Sequence, residues 1–186
     1  MENQEKINKI QDVIKGMSDE LDWKFHIQPV INNAKLLANY LNANKEIVEL
    51  GALLHDVGRL KFGPNKHDIT GVLEAKKILN KFNYSKKFIQ EVVHCVKTHR
   101  AKSDNTPQSL EAKIVANADA MAHFDAMPYF FYRKAKETNF NEILNWVEQK
   151  IKKDWETKLT LDKAKKIVNE KYKAIIIILD SLKKLT

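Results

Sequence analysis

The sequence predicts an all-α protein, folded as a single-domain helical bundle. Three observations carry that reading. Breakers are scarce, with 5 glycines and 4 prolines in 186 residues, and good helix formers such as Leu, Ala, Lys and Glu are plentiful. Apolar residues recur at spacings of three and four rather than in strict alternation. With 44% hydrophobic residues a chain of this length can bury one core, and no linker, repeat or low-complexity segment divides it.

The elements follow in order. Ile7, Ile10, Val13 and Ile14 place a first helix over residues 4–17, with Gly16 and Ser18 at its end. A second is expected over 22–41, with Ile27, Val30, Ile31, Ala34, Leu37, Ala38 and Leu41 on one stripe. Pro29 falls inside this pattern, so either the helix proper begins near it or the chain bends close to His26. The third, 45–57, is apolar almost all round and should be the central buried helix, stopped by Gly58 and the Gly63-Pro64-Asn65 loop. Two more are expected over 67–82 and 85–99, with Ser85 as a cap. The polar loop AKSDNTPQS leads to a sixth over 110–126, which Pro128 breaks. Leu144, Val147, Ile151 and Trp155 mark a further helix, and the last runs from Leu161 to the end. Its IIIIL run would suit a strand by propensity, but the flanks KAKKIVNEKYK are helical.

The net charge of +8 suggests an anionic partner: a phosphorylated small molecule, nucleic acid or an anionic membrane surface. The lysines are spread along solvated helix faces, which does not favour nucleic acid. Cys95 is the one cysteine, so no intramolecular disulfide forms. The charged start MENQEKINKI lacks the features of a signal peptide, and the aliphatic run 174–179 is too short to span a bilayer. A cytoplasmic protein without a membrane span is expected.

In LLHDVGRL a histidine and an aspartate, His55 and Asp56, follow an apolar run. Near the carboxyl end of the expected third helix, Asp56 would be disfavoured by the macrodipole and again by desolvation. A bound cation removes both penalties. Asp119 poses a similar question: it sits in IVANADAMA, among alanines that permit close approach and offer no local charge partner. His26 adds another imidazole, and two imidazoles with two carboxylates suit manganese, iron, cobalt, nickel or zinc.

The order His26, His55 with Asp56, then Asp119, together with the phrases LLHDVGR, THR and NADAM, resembles the HD superfamily of metal-dependent phosphohydrolases, in particular its small stand-alone members. The likeness spans residues 23–125. It implies a bundle of the HD-domain type, with a motif-bearing core over 20–126 and C-terminal helices over 128–186 packed on it. It implies that His26, His55, Asp56 and Asp119 ligate a divalent ion, and that His67 and His99 hold a second ion or a substrate phosphate. His94 should point to water. His123, four residues after Asp119, could orient it, although a partly exposed histidine is the simpler reading.

The implied chemistry is attack of a metal-bound hydroxide on phosphorus, with a nucleotide as the leading substrate class. Asp56 would help take up the proton, Arg59 or Lys61 would stabilise the phosphoryl oxygens, and Arg59, Lys61 and Arg100 would bind substrate. The residue after HDVG is Arg59 where the cyclic-dinucleotide phosphodiesterases have lysine, and their GYP signature is missing. A cyclic-dinucleotide substrate is therefore not expected. The aromatic run Tyr129, Phe130, Phe131 and Tyr132 reads as core packing before a base platform. Two alternatives stand beside this reading: a di-iron oxygenase, and a non-catalytic nucleotide or nucleic-acid binding module that would exploit the basic surface and has no need of the four-ligand set.

Overall fold

The computed structural model describes residues 2–102 and 104–185, so Ser103 of the polar loop and Thr186 of the last expected helix lie outside it. Within those residues the protein is all-α, and the one β-type contact is an isolated bridge between Lys102 and Asn105. The helices are α1 (Glu2–Met17), α2 (Glu20–Asp22), α3 (Gln28–Leu41), α4 (Lys45–Leu54), α5 (Val57–Phe62) and α6 (His67–Lys81). They continue as α7 (Lys86–Thr98), α8 (Leu110–Asp125), α9 (Met127–Lys134), α10 (Phe140–Lys153) and α11 (Asp162–Lys183). Two π-helical turns interrupt the series, Trp23–Ile27 before α3 and Asp154–Lys158 after α10.

α4 is the central helix, as its all-round apolar sequence predicts: seven of its ten residues are buried, and it packs against α3, α7 and α8. Burying each Leu or Ile of such a helix contributes about 1.5–3 kcal/mol. α8 is the second buried helix, and its alanine-rich face lets α3 lie close against it. One apolar cluster runs from Ile7 in α1 to Leu179 in α11, so the C-terminal helices share the core of the motif-bearing part. IIIIL belongs to α11 and is helical, as its flanks indicate.

Short polar side chains start the helices. Asn44 accepts from the Ile47 amide at 3.2 Å, Ser85 from Phe88 at 3.3 Å, Ser109 from Ala112 at 3.1 Å and Asn139 from Glu142 at 3.0 Å. Each satisfies an amide that the first turn leaves without a partner. α5 and α6 meet where no side chain fits. A Cβ on Gly58 would lie 2.2 Å from the His67 carbonyl oxygen and 2.5 Å from the Gly71 nitrogen. Gly71 therefore serves close contact between the two helices.

Three boundaries differ from the sequence reading. The helix expected over 45–57 ends at Leu54, and a new one begins at Val57. Asp56 sits in the break, with φ −107° and ψ 11°, and starts α5 instead of ending α4. Asp56 thus lies just past the carboxyl end of α4, as expected, and also at the amino end of the short α5, whose dipole favours its charge. The segment after Pro128, left without an element, forms α9, because proline fits the first turn of a helix. Trp155 lies in the second π-helical turn and not in α10.

Candidate metal centre

Each donor is delivered by a helix end, a break or a small-residue face. Pro29 has no N–H to bond the carbonyl of residue 25, and just upstream the Gln28 amide reaches back five residues to the Trp23 oxygen. The resulting π-helical turn carries His26 to the core, and α3 begins at Gln28 with Pro29 in its first turn, the first of the two alternatives. His55 closes α4, Asp56 occupies the break, His67 opens α6 and His99 closes α7. Asp119 projects from the middle of α8.

The four residues expected to hold one ion converge. His26 Nε2 lies 3.1 Å from Asp56 Oδ2, 3.1 Å from His55 Nε2 and 3.7 Å from Asp119 Oδ1. His55 Nε2 is 3.6 Å from Asp56 Oδ2 and 3.9 Å from Asp119 Oδ1. On the other side Asp56 Oδ1 faces His67 Nε2 at 3.3 Å and His99 Nε2 at 3.6 Å. Asp56 thus stands between two imidazole pairs, one oxygen toward each. Three donor sets are close enough to hold an ion: His26, His55 and Asp56; His26, Asp119 and His123; and Asp56, His67 and His99.

The tautomers show why a cation suits this arrangement. The Nδ1 atoms of His55, His67 and His99 lie 2.6, 2.8 and 2.7 Å from the backbone oxygens of Ala52, Pro64 and Val96. Each Nδ1–H donates to its carbonyl, which leaves the Nε2 lone pair aimed at a carboxylate oxygen. Two acceptors face to face repel unless a proton or a metal lies between them. Burial lowers the His55 pKa, and burial pushes His99 down to about 3, so protonation is disfavoured. A divalent ion with mixed nitrogen and oxygen donors fits.

The carboxylates are ready to ligate. Burial pushes the Asp56 carboxyl up, but His55, Arg59 and His26 outweigh it and hold it well below the usual carboxylate range. Burial acts the same way on Asp119, where Lys158 and His123 prevail. Both are ionised at neutral pH without a metal.

The remaining expected residues divide. Arg59 reaches the site but is turned onto carboxylates, with Nε 2.6 Å from Asp56 Oδ2 and Nη2 2.8 Å from Asp22 Oδ2. Arg100 lines the cavity, and its one carboxylate contact, to Asp68, is long at 3.5 Å. Lys61 is not brought to the site: it donates to Glu74 at 2.7 Å and does not line the cavity. The short α5 turns Arg59 inward and Lys61, two residues on, toward α6. His94 accepts from the Gln108 amide at 3.2 Å and lies outside the cavity.

Several site residues escaped the sequence reading. His123 is 6% exposed, not partly exposed, and its ring stacks on His26 with centroids 5.5 Å apart. Its Nε2 is 3.3 Å from Asp119 Oδ1, and its Nδ1 is 2.7 Å from Asp154 Oδ2. The spacing of four from Asp119 was the available signal. Asp119 also has a charge partner after all: the Lys158 ammonium donates to its Oδ2. Asp22 anchors Arg59 and accepts from the Tyr129 hydroxyl at 3.2 Å. Tyr129 is buried as expected for packing, and both it and Phe130 line the cavity. That cavity measures about 360 Å³ and is closed on its C-terminal side by Phe130, Trp146, Lys150, Lys153 and Lys158.

No helix among the described residues is long and apolar enough to cross a membrane. The fold is that of Bacillus subtilis YpgQ, with a TM-score of 0.80 at 20% identity over 99% of this chain and 97% of that one. The same protein in complex with ADP superposes with a TM-score of 0.78 at 20% identity, over 100% and 97% of the two chains. An HD-superfamily hydrolase from Bacillus thuringiensis gives 0.74 at 22% identity over 98% and 97%. A tRNA (cytidine(56)-2'-O)-methyltransferase from Picrophilus torridus is 30% identical over 114 residues, which are 54% of this chain and 31% of that protein's length. The HD domain family matches residues 25–123, more than half of the chain, and includes His26, His55, Asp56, His67, His99, Asp119 and His123. The chain belongs to the HD domain family.

Proposed function

We propose that this protein is a metal-dependent phosphohydrolase acting on a phosphorylated small molecule, with nucleotides as the first substrate class. The placement of Asp56 carries the proposal: one carboxylate faces His26 and His55 with one oxygen and His67 and His99 with the other. A structural ion needs one closed donor set, whereas a carboxylate shared between two sets, opening on a cavity, suits chemistry on a bound anion. The hydrolase from Bacillus thuringiensis with the same fold supports the reaction class, and the complex of YpgQ with ADP supports a nucleotide ligand.

A divalent ion supplies, when bound, a nucleophile at neutral pH and positive charge against the phosphoryl oxygens. The chain supplies the rest. His26, His55, Asp56 and Asp119 hold the ion, and His67 and His99 complete a second set with Asp56. Asp56, ionised and shared between the two sets, serves as a ligand, and a carboxyl held so far below the usual range is poorly suited to take up the proton released during attack. Arg59 lines the cavity and positions Asp56 through its 2.6 Å bond. Arg100, at the rim, is available to substrate oxygens.

The second set of donors also favours a second reading, oxygen chemistry at two irons. Activity of the iron-loaded protein without oxygen separates the two, since hydrolysis persists anaerobically. The decisive experiment is a screen of nucleotides, sugar phosphates and generic phosphodiesters against protein loaded with manganese, cobalt, nickel or iron. Phosphate or pyrophosphate release is expected for one phosphate class and is lost in the His55→Ala, Asp56→Ala double variant. Equal release by that variant, or ligand binding indifferent to chelator and without turnover, refutes the proposal.

A further inference from the structure

The family match ends at residue 123, yet the cavity wall facing the metal donors is built from residues beyond it. The cavity is lined by six arginines and lysines against four aspartates, an excess of positive charge before any metal is added. Most of these cations have a carboxylate in hand. Arg59 lies between Asp22 and Asp56, and Lys150 donates to Asp154 at 2.5 Å. Lys153 has none among the described residues, and Lys158 has one that leaves donors unmatched.

Lys158 is 7% exposed and lines the cavity. An ammonium has three N–H donors. Among the described residues one of them is matched, by Asp119 Oδ2, and no other acceptor is in hydrogen-bond reach. A buried cation with two unmatched donors facing a cavity is poised for an anion, since desolvation without compensation is costly. Lys153 is exposed at the mouth of the same cavity and makes no ion pair among the described residues.

The backbone places the two side by side. Lys153 and Lys158 are five residues apart across the second π-helical turn, where the Leu159 amide bonds the Asp154 carbonyl at 2.9 Å. Residues spaced by five share a face of a π-helical turn, whereas on an α-helix that spacing leaves them about 140° apart. The π insertion therefore turns both ammonium groups to the cavity. Such insertions concentrate at functional sites.

We propose that Lys153 and Lys158 form an anion subsite that receives the phosphoryl oxygens of the substrate beside the metal centre. The proposal deepens the phosphohydrolase reading and rests on it for the identity of the anion as a phosphoryl group. Asp119 can serve metal and lysine at once, offering Oδ1 to the histidine side and Oδ2 to Lys158. Lys158 then links ion and phosphate through a shared carboxylate.

The test is calorimetric titration of the manganese-loaded full chain with inorganic phosphate, with manganese content measured on the same samples. Lys158→Gln is expected to weaken phosphate binding at least about tenfold, the size of one lost charge-assisted contact. Lys153→Ala, at the rim, is expected to weaken it about threefold, with manganese content and melting temperature as in the wild type. Wild-type phosphate affinity in either variant overturns the subsite. Should Lys158→Gln lose its fold or its manganese, Lys153→Ala decides alone. A chain that binds phosphate through these lysines yet hydrolyses nothing keeps the subsite and loses the hydrolase reading; turnover unaffected by either variant does the opposite.

Discussion

Asp22 lies outside the family match and 2% exposed, and it holds the support of the metal centre together. It accepts from Arg59 Nη2 at 2.8 Å, the Tyr129 hydroxyl at 3.2 Å and Arg133 Nη1 at 3.4 Å. Asp22→Asn keeps the shape and removes the charge. Removing one partner of a buried pair costs about 3–5 kcal/mol. Arg59 retains Asp56, and the Arg133 side chain is 48% exposed and screened by solvent, so the lower end, about 3 kcal/mol, applies. For a chain of this size each kcal/mol lowers the melting temperature by about 2–4 °C. Thermal unfolding with chelator present should therefore fall by about 6–12 °C. Arg59, loosened at one end, no longer fixes Asp56, and manganese affinity should drop about 10–100-fold, as for other residues that orient metal ligands. A melting temperature within about 2 °C of wild type, with unchanged manganese affinity, refutes the chain of contacts from Asp22 through Arg59 to Asp56.

Other outcomes follow from the same structure. Lys61→Ala leaves the buried Glu74 carboxylate without its 2.7 Å partner and should lower stability by about 1–3 kcal/mol, while turnover should not change because neither residue lines the cavity. His67→Ala or His99→Ala should lower the manganese stoichiometry by one ion per chain while leaving the set around His55 loaded, as read by metal analysis. Gly58→Ala forces a Cβ to within 2.5 Å of α6 backbone, so chemical denaturation should show a loss of about 2 kcal/mol or more. Burial pushes the Cys95 thiol up to about 12, so a thiol reagent should label it only as the protein unfolds. Rapid labelling under native conditions contradicts the buried placement between α4 and α7.

The sequence made the helices and the metal donors legible for different reasons. α4 could be placed because its residues are apolar on every side, and only a central position satisfies that. His26, His55, Asp56 and Asp119 could be grouped because their order and motifs resemble those of the HD superfamily, while the two carboxylates in apolar surroundings pointed by themselves only to a compensating charge. The break at Asp56 was not legible, since the nearest breaker, Gly58, points to a stop two residues later. The π-helical turns were legible only in part: Pro29 announces the first, but DWETK has no comparable signal for the second. The lysine that pairs with Asp119 comes from that second turn, 39 residues away, and a single spacing cannot reveal such a contact. Lys61 was misplaced because proximity to a motif in sequence says little about direction on a helix, where two residues' separation turns a side chain to the far face.

Crystals grown with manganese and measured at its absorption edge test the central claim most directly. An anomalous peak is predicted among His26, His55, Asp56 and Asp119, with a second between Asp56, His67 and His99 at higher occupancy of the metal. Electron density with no anomalous signal there, and with the His55 and Asp56 side chains bonded to one another as the sole partners, would contradict it.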